Sequence, residues 1–228
     1  MSRKKIVLGW PRIVFGLLVF ALGVHLTIRA DLGLAPWDCL GTGIALHTPL
    51  NYGLAMTAMS VIILIIDVLL KEKIGFGTII DALLTGNFVQ MFSDLDPFPK
   101  TENVWIGIAV IIAGLALMAV GQYFYMTAGQ SCGPRDALLV GLGKRLRRLP
   151  IGVVQILLWG TVLLIGRLLG GPVGIGTVVS TFGSGIIMQL IFRLIRFEPR
   201  QIAHQSVIDT MRLLRAKREA RHEGFVDS

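Results

Sequence analysis

Long apolar runs separated by short polar stretches dominate the hydropathy pattern of this chain. A membrane-spanning helix needs about 20 mostly apolar residues. Six runs approach or exceed that length, at residues 12–29, 53–70, 76–92, 104–127, 151–169 and 175–195. Short loops, two segments containing Gly and Pro, and a polar tail make up the remainder. The pattern predicts an all-α integral membrane protein with six transmembrane helices.

Composition supports this prediction and narrows the class of protein. Of the 228 residues, 54% are hydrophobic and 16% are charged, whereas about 25% are charged in a typical soluble domain. Disorder requires low hydrophobicity, and two cysteines cannot frame a disulfide scaffold. The first run lacks a clear small-residue cleavage site, so we interpret it as a transmembrane helix and not as a cleaved signal peptide.

Basic residues are distributed unevenly between alternate loops. Of the 22 Lys and Arg residues, only Arg29, Lys100 and Arg167 fall in one set of loops, and the other 19 fall in the N-terminal segment, the alternate loops and the tail. Basic residues collect on the cytoplasmic side of membrane proteins, which predicts that both termini are cytoplasmic. The net charge of +8 then reflects topology and contact with anionic inner-leaflet lipids, and nucleic acid is not an expected partner.

An internal repeat appears when the chain is shifted by 98 or 99 residues. Each half then contains three spans, so the second copy is inverted relative to the first, as in many transporters. We therefore predict two three-helix repeats, 1–96 and 97–197. The repeat aligns Gly16 with Gly114, Gly23 with Gly121, residues 36–40 with 134–138, Gly53 with Gly152, and Gly86 with Gly185.

The tail, residues 198–228, is basic and has apolar residues interspersed. Helical spacing would give it an apolar stripe beside a basic face, which is typical of an amphipathic helix on the inner leaflet. A solvated helical tail is the alternative interpretation, and both stay open.

Two equivalent Gly-Pro segments lie in residues 31–51 and 129–150. In each, Pro suits the first position of a short helix, and an acid two residues later, Asp38 or Asp136, is favoured by the helix dipole. These acids are either ordinary helix-start carboxylates or parts of broken or re-entrant helices that line a cavity. Irregular backbone at membrane depth is tolerated only where protein or water surrounds it, and the symmetric placement favours the cavity.

Polar residues inside the spans complete the candidate site. An acid within a span is a functional candidate by default, and Asp81 is the deepest acid. We expect Arg135 to pair with an acid, since an unpaired charge at membrane depth is costly. Arg135 aligns with Trp37, so a cation and an aromatic face would suit a small polar, zwitterionic or carboxylate-bearing ligand. The predicted binding residues are Pro36, Trp37, Asp38, Pro134, Arg135, Asp136, Asp81, Asn87 and Gln122.

Catalytic and metal-binding patterns are missing from the sequence. The four His residues do not have metal-ligand spacing, and the Gly-x-Ser-x-Gly pattern of esterases does not occur. We therefore expect neither an enzyme nor a cofactor.

Residues 33–38, 133–136 and 170–177 resemble the corresponding segments of YczE/YyaS/YitT-type bacterial membrane proteins. The resemblance covers about residues 8–195. It implies a multi-spanning protein of the bacterial cytoplasmic (inner) membrane.

The sequence favours a small-molecule transporter that works by alternating access around a midplane site between the two repeats. The alternative is a non-transporting accessory or scaffold subunit that acts through its cytoplasmic tail, and a membrane enzyme ranks third. A transporter requires polar residues that converge on a wet cavity, whereas a scaffold would satisfy them pairwise. Substrate identity, coupling ion and assembly into a homodimer are left open.

Overall fold

The computed structural model describes residues 3–72, 74–95, 103–127 and 133–197. The predicted amphipathic tail, 198–228, lies outside these residues. Within them the fold is all-helical, with eight α-helices and no strand. In chain order the helices are α1 (Arg3–Arg29), α2 (Pro36–His47), α3 (Tyr52–Leu69), α4 (Phe76–Leu95), α5 (Val104–Thr127), α6 (Pro134–Arg145), α7 (Ile151–Leu168) and α8 (Ile175–Leu194).

Five helices are long and apolar enough to cross a membrane: the Trp10–Arg29 part of α1, and α3, α5, α7 and α8. They coincide with five of the six predicted runs. The sixth run, 76–92, forms the 20-residue helix α4, which is less apolar because it carries Asp81, Asn87 and Asp94. Large apolar side chains such as Ile156 and Phe182 are 70% and 71% exposed, as expected of helices that face hydrocarbon.

The short helices α2 and α6 begin at the predicted prolines. Pro36 and Pro134 stand at the first helical turn, and the residues before them, Ala35 and Gly133, have extended backbone with φ of −60°. A residue that precedes proline is biased toward this conformation, and proline is preorganised for the first helical position. Each of these helices has 12 residues, which is too short to span a bilayer.

Helices α1 and α5 pack along each other with glycines at their crossing. A methyl group at Gly16 would lie 2.8 Å from the carbonyl oxygen of Gly121, and one at Gly23 would lie 2.5 Å from that of Gly114. Larger side chains would force the two backbones apart. The flanking contacts are α1 with α4 and α5 with α8.

Each short helix packs against a long helix of the other half of the chain. α2 packs against α7, and α6 packs against α3. Their N-terminal ends face one cavity, which the next section describes. A buried apolar cluster joins these four helices and contains Trp37, Met56, Met59, Ile63, Leu138 and Val162.

Candidate functional site

All eight helices contribute side chains to one cavity of about 420 Å³. Such a volume falls in the range of small-molecule sites, which are concave and largely apolar with a few polar groups. The cavity brings together eight of the nine residues predicted from the sequence: Pro36, Trp37, Asp38, Asp81, Gln122, Pro134, Arg135 and Asp136.

Asn87 is the predicted residue that does not line the cavity. It is exposed on α4, where its side-chain amide donates to the carbonyl oxygen of Leu83 at 2.6 Å and to the hydroxyl of Thr57 at 3.3 Å. Asp81 lies six residues earlier on the same helix, so the two side chains project from different faces. Asn87 therefore contributes to contacts between α3 and α4 and not to the cavity.

The two short helices bring Trp37 and Arg135 into contact, and these are the residues that the repeat aligns. The guanidinium carbon of Arg135 lies 5.3 Å from the centre of the Trp37 ring. This distance is within the range of cation–π contacts, which are worth about 0.5–2 kcal/mol. One nitrogen of the guanidinium also lies 3.9 Å from the sulfur of Met56.

Arg135 does not form the ion pair that the sequence led us to expect. The ion pair of Lys144 with Glu72, at 2.5 Å, lies outside the cavity, and Arg135 forms no ion pair with the described residues. Arg135 nevertheless lies within electrostatic range of all three cavity acids, Asp38, Asp81 and Asp136. The guanidinium thus offsets the charge of several carboxylates without binding one of them directly.

The three cavity acids have different surroundings. Asp38 is 5% exposed and accepts a hydrogen bond from the Tyr52 hydroxyl at 3.0 Å. Asp81 is half-buried and accepts a hydrogen bond from the hydroxyl of Thr85. Asp136 is exposed to the cavity, and no hydrogen bond to its carboxylate is found among the described residues. Asp136 is therefore the carboxylate with the most freedom to bind a ligand.

Asp81 and Asp136 approach each other beside Gly133, the residue that precedes α6. A methyl group at Gly133 would lie 2.7 Å from Oδ2 of Asp81 and 3.9 Å from Oδ2 of Asp136. A side chain at this position would displace the Asp81 carboxylate. The glycine thus allows the two acids to share one corner of the cavity.

Several cavity residues were not among those predicted from the sequence. Tyr52, a neighbour of the cavity and not one of its lining residues, begins α3, and its hydroxyl reaches the cavity acid Asp38 on a different helix. Ser180 on α8 is 3% exposed and lines the cavity, and its hydroxyl has no hydrogen-bond partner in the described part of the chain. For Ser180, the signal that the sequence offered was a polar residue within the predicted span 175–195. Other newly found lining residues include Thr85, Gln155, Trp159 and Ser184.

Comparison with known proteins places the chain among membrane proteins of unknown function. Residues 7–193 match a family model described as a family of unknown function (DUF6198). An uncharacterized protein of Haemophilus influenzae is 30% identical over 183 residues, which cover 80% of this chain and 83% of that protein.

Two relatives from Bacillus subtilis confirm the resemblance noted in the sequence. The uncharacterized membrane protein YczE is 28% identical over 82% of this chain and 86% of its own length. The uncharacterized protein YyaS is 26% identical over 79% of this chain and 90% of its own length. No solved structure matches the chain.

Proposed function

The chain belongs to the DUF6198 family, and we propose that it is a small-molecule transporter of the bacterial cytoplasmic membrane. It would work by alternating access around the cavity, between two inverted repeats. The cavity, the apolar helices and the position of the short helices support this proposal. In this proposal the chain catalyses no chemical reaction. Both termini lie in the cytoplasm, and the basic loops contact anionic lipids.

Helix packing supports the inverted repeat. Under the repeat, α1 corresponds to α5, α2 to α6, α3 to α7, and α4 to α8. The contact of Gly16 with Gly121 then corresponds to the contact of Gly114 with Gly23, and both occur. In the same way the packing of α2 on α7 corresponds to that of α6 on α3, and both occur. A pseudo-two-fold axis between α1 and α5 accounts for these pairs of contacts.

The main support for transport is one departure from this symmetry, the different packing of α3 with α4 and of α7 with α8. α3 packs closely on α4, and a methyl group at Gly53 would lie 2.8 Å from the carbonyl oxygen of Gly86. The equivalent helices α7 and α8 do not pack along each other. Methyl groups at the equivalent residues Gly152 and Gly185 would meet no atom of the described residues within 4 Å.

The departure gives the cavity one closed side and one open side. Residues of both α7 and α8 line the cavity, including Gln155 and Trp159 of α7 and Gly185 of α8. Because the repeats are inverted, the closed contact near the start of α3 and the open gap near the start of α7 would face opposite sides of the membrane. The start of α7 follows the basic loop 144–148, so this state would be open to the cytoplasm.

Exchange of the two contacts would produce the opposite state. In that state α3 would separate from α4, while α7 would close on α8 through Gly152 and Gly185. Such rocking of one repeat against the other is the usual form of alternating access in proteins with inverted repeats.

Cross-linking of equivalent cysteine pairs tests this exchange. The pair Thr57→Cys with Asn87→Cys reports the closed α3–α4 contact, because these side chains are in contact. The pair Ile156→Cys with Ile186→Cys occupies the equivalent positions, and both isoleucines are exposed, at 70% and 68%. Both pairs would be placed in a background with Cys39→Ala and Cys132→Ala, treated with a short bifunctional thiol reagent, and analysed by mass spectrometry.

A transporter should link both pairs in the membrane, and linking one pair should prevent the other from forming. If only the α3–α4 pair is linked under all conditions, the repeats do not exchange, and the accessory-subunit interpretation is favoured. A second exposed pair, Leu83→Cys with Ile156→Cys, comes from helices α4 and α7, which do not pack on each other, and controls for random collision.

A further inference from the structure

We propose that the ligand of the cavity is an organic cation: an ammonium or similar charged group attached to an apolar body. This inference deepens the proposed transport function and rests on it only for the claim that the ligand is moved. It follows from the charges, the hydrogen bonds and the walls of the cavity.

The cavity contains more negative than positive side chains. Asp38, Asp81 and Asp136 line it, and among the lining residues that the structure describes Arg135 is the one basic side chain. A carboxylate ligand would add to the excess of negative charge, and a zwitterion would leave it unchanged. A cation offsets it, and charges within a low-dielectric site interact much more strongly than charges in water.

Arg135 is already engaged by the protein. Its guanidinium stacks on Trp37 at 5.3 Å and lies within electrostatic range of all three acids. An anionic ligand at this group would also experience the repulsion of the three carboxylates. Arg135 is therefore better suited to hold the acids together than to receive an anion.

Asp136 and Asp81 form the part of the cavity that a cation fits best. Both carboxylates approach Gly133, and like charges at close range destabilise each other unless a positive charge or a proton is present. Asp81 has the Thr85 hydroxyl as a partner, whereas no hydrogen bond to the Asp136 carboxylate occurs in the described part of the chain. A ligand ammonium beside Asp136 would supply the missing donor.

The remaining walls suit an apolar body that carries one more polar group. Phe20, Trp37, Tyr125 and Trp159 line the cavity, and aromatic faces attract cations as well as apolar groups. Ser180 is a second, independent indication of a polar ligand, because it lines the cavity, is 3% exposed, and its hydroxyl has no hydrogen-bond partner among the described residues.

A bare metal ion fits the cavity less well than an organic cation. No group of three or more His, Cys, Asp or Glu side chains that could hold a metal ion occurs in the described residues. A volume of about 420 Å³ is also that of a small-molecule site.

The charge preference of the cavity can be measured without knowing the natural ligand. Ser184 lines the cavity and is partly buried, so the substitution Ser184→Cys places a thiol there. The purified protein, with Cys39→Ala and Cys132→Ala, is treated with a trimethylammonium and a sulfonate methanethiosulfonate reagent of similar size. The rate of the cationic reagent at Ser184→Cys is divided by that of the anionic reagent. This ratio is then divided by the same ratio at Thr48→Cys in the exposed loop after α2, which corrects for the different reactivities of the two reagents.

We expect the cationic reagent to react about tenfold faster than the anionic one after this correction. The isosteric substitution Asp136→Asn should reduce the ratio several-fold. Asp94→Asn, at the exposed end of α4, should leave the ratio unchanged. A corrected ratio near one, or a faster anionic reagent, would overturn the proposal even if the Asp136 variant does not fold.

Ligand protection extends the same assay. Phenethylamine, phenylalanine and 3-phenylpropionate share one apolar body and differ in charge, and tetramethylammonium and sodium chloride test smaller cations. The amine should slow modification of Ser184→Cys more than the zwitterion and the acid do, and Asp136→Asn should remove this protection. Stronger protection by the acid, by the zwitterion or by sodium would contradict an organic-cation site.

This result is distinguishable from failure of the transport proposal. If the α3–α4 and α7–α8 pairs exchange in the cross-linking assay but the cavity prefers anions, transport stands and the ligand class is wrong. If the cavity prefers cations but the pairs never exchange, the cavity is a binding site in a protein that does not transport.

Discussion

Two pairs of helices from equivalent stretches of the chain, α3 with α4 and α7 with α8, pack differently. In the first pair, Gly53 meets Gly86, and the side-chain oxygen of Gln90 accepts a hydrogen bond from the Gly53 amide at 3.2 Å. In the second pair, methyl groups at the aligned residues Gly152 and Gly185 would have no neighbour within 4 Å among the described residues. Glycine permits a close approach of helices but does not enforce it.

Side chains around the glycines account for the difference. Thr57 and Asn87 form a hydrogen bond between α3 and α4, whereas the equivalent residues of α7 and α8 are Ile156 and Ile186, which cannot form one. A hydrogen bond contributes about 0.5–1.5 kcal/mol. The closed α3–α4 contact is therefore the more stable of the two, and the state with α7 and α8 apart is the one we expect to be populated at rest.

The largest expected effect is that of filling the closed glycine contact. Gly86→Val would place atoms within 2.7 Å of the Gly53 carbonyl oxygen and 2.9 Å of the Met56 Cβ, and such overpacking costs about 1–3 kcal/mol. At the matched control Gly185→Val, the new Cβ would have no neighbour within 4 Å among the described residues. Thermal unfolding in detergent should show a lower midpoint for Gly86→Val alone, and equal midpoints would contradict the asymmetry.

A smaller effect is expected from the glutamines that the repeat aligns, Gln90 and Gln189. Gln90→Ala removes the acceptor for the Gly53 amide and should cost about 1 kcal/mol. Gln189 is exposed, so Gln189→Ala should change stability by less than about 0.5 kcal/mol. Cross-linking of the Ile156→Cys and Ile186→Cys pair should also accelerate with Gln90→Ala. An unchanged rate would mean that the hydrogen bond between Gly53 and Gln90 does not hold α3 against α4.

The smallest effect comes from transplanting the polar pair into the open side. Ile156→Thr with Ile186→Asn gives α7 and α8 the side chains that join α3 to α4. An exposed hydrogen bond is worth about 0.5 kcal/mol, so the population of the opposite state should rise about twofold. Cross-linking of the Thr57→Cys and Asn87→Cys pair should slow by less than this factor, because the closed α3–α4 state is the one populated at rest. Ile156→Val with Ile186→Val serves as the control and should leave the rate unchanged.

The sequence alone determined the helices and eight of the residues that line the cavity. The predicted runs 53–70, 104–127 and 151–169 match α3, α5 and α7 within one residue at each end, and Pro36 and Pro134 begin the short helices. These features are local, because hydropathy over about 20 residues and proline at the first helical position do not depend on distant contacts. The equivalent Gly-Pro segments likewise identified Asp38, Asp136 and Arg135 as cavity residues.

Tertiary structure decided which faces of the helices turn inward and which partners meet. Asp81 lines the cavity and Asn87 does not, although both are polar residues of α4, because the packing of α4 on α1 and α3 sets its rotation. Arg135 stacks on Trp37 instead of pairing with an acid, and Tyr52 reaches Asp38 from another helix. The gap between α7 and α8 was equally beyond the sequence. The aligned glycines allow both an open and a closed pair, and only the contacts of the whole fold select one for each half.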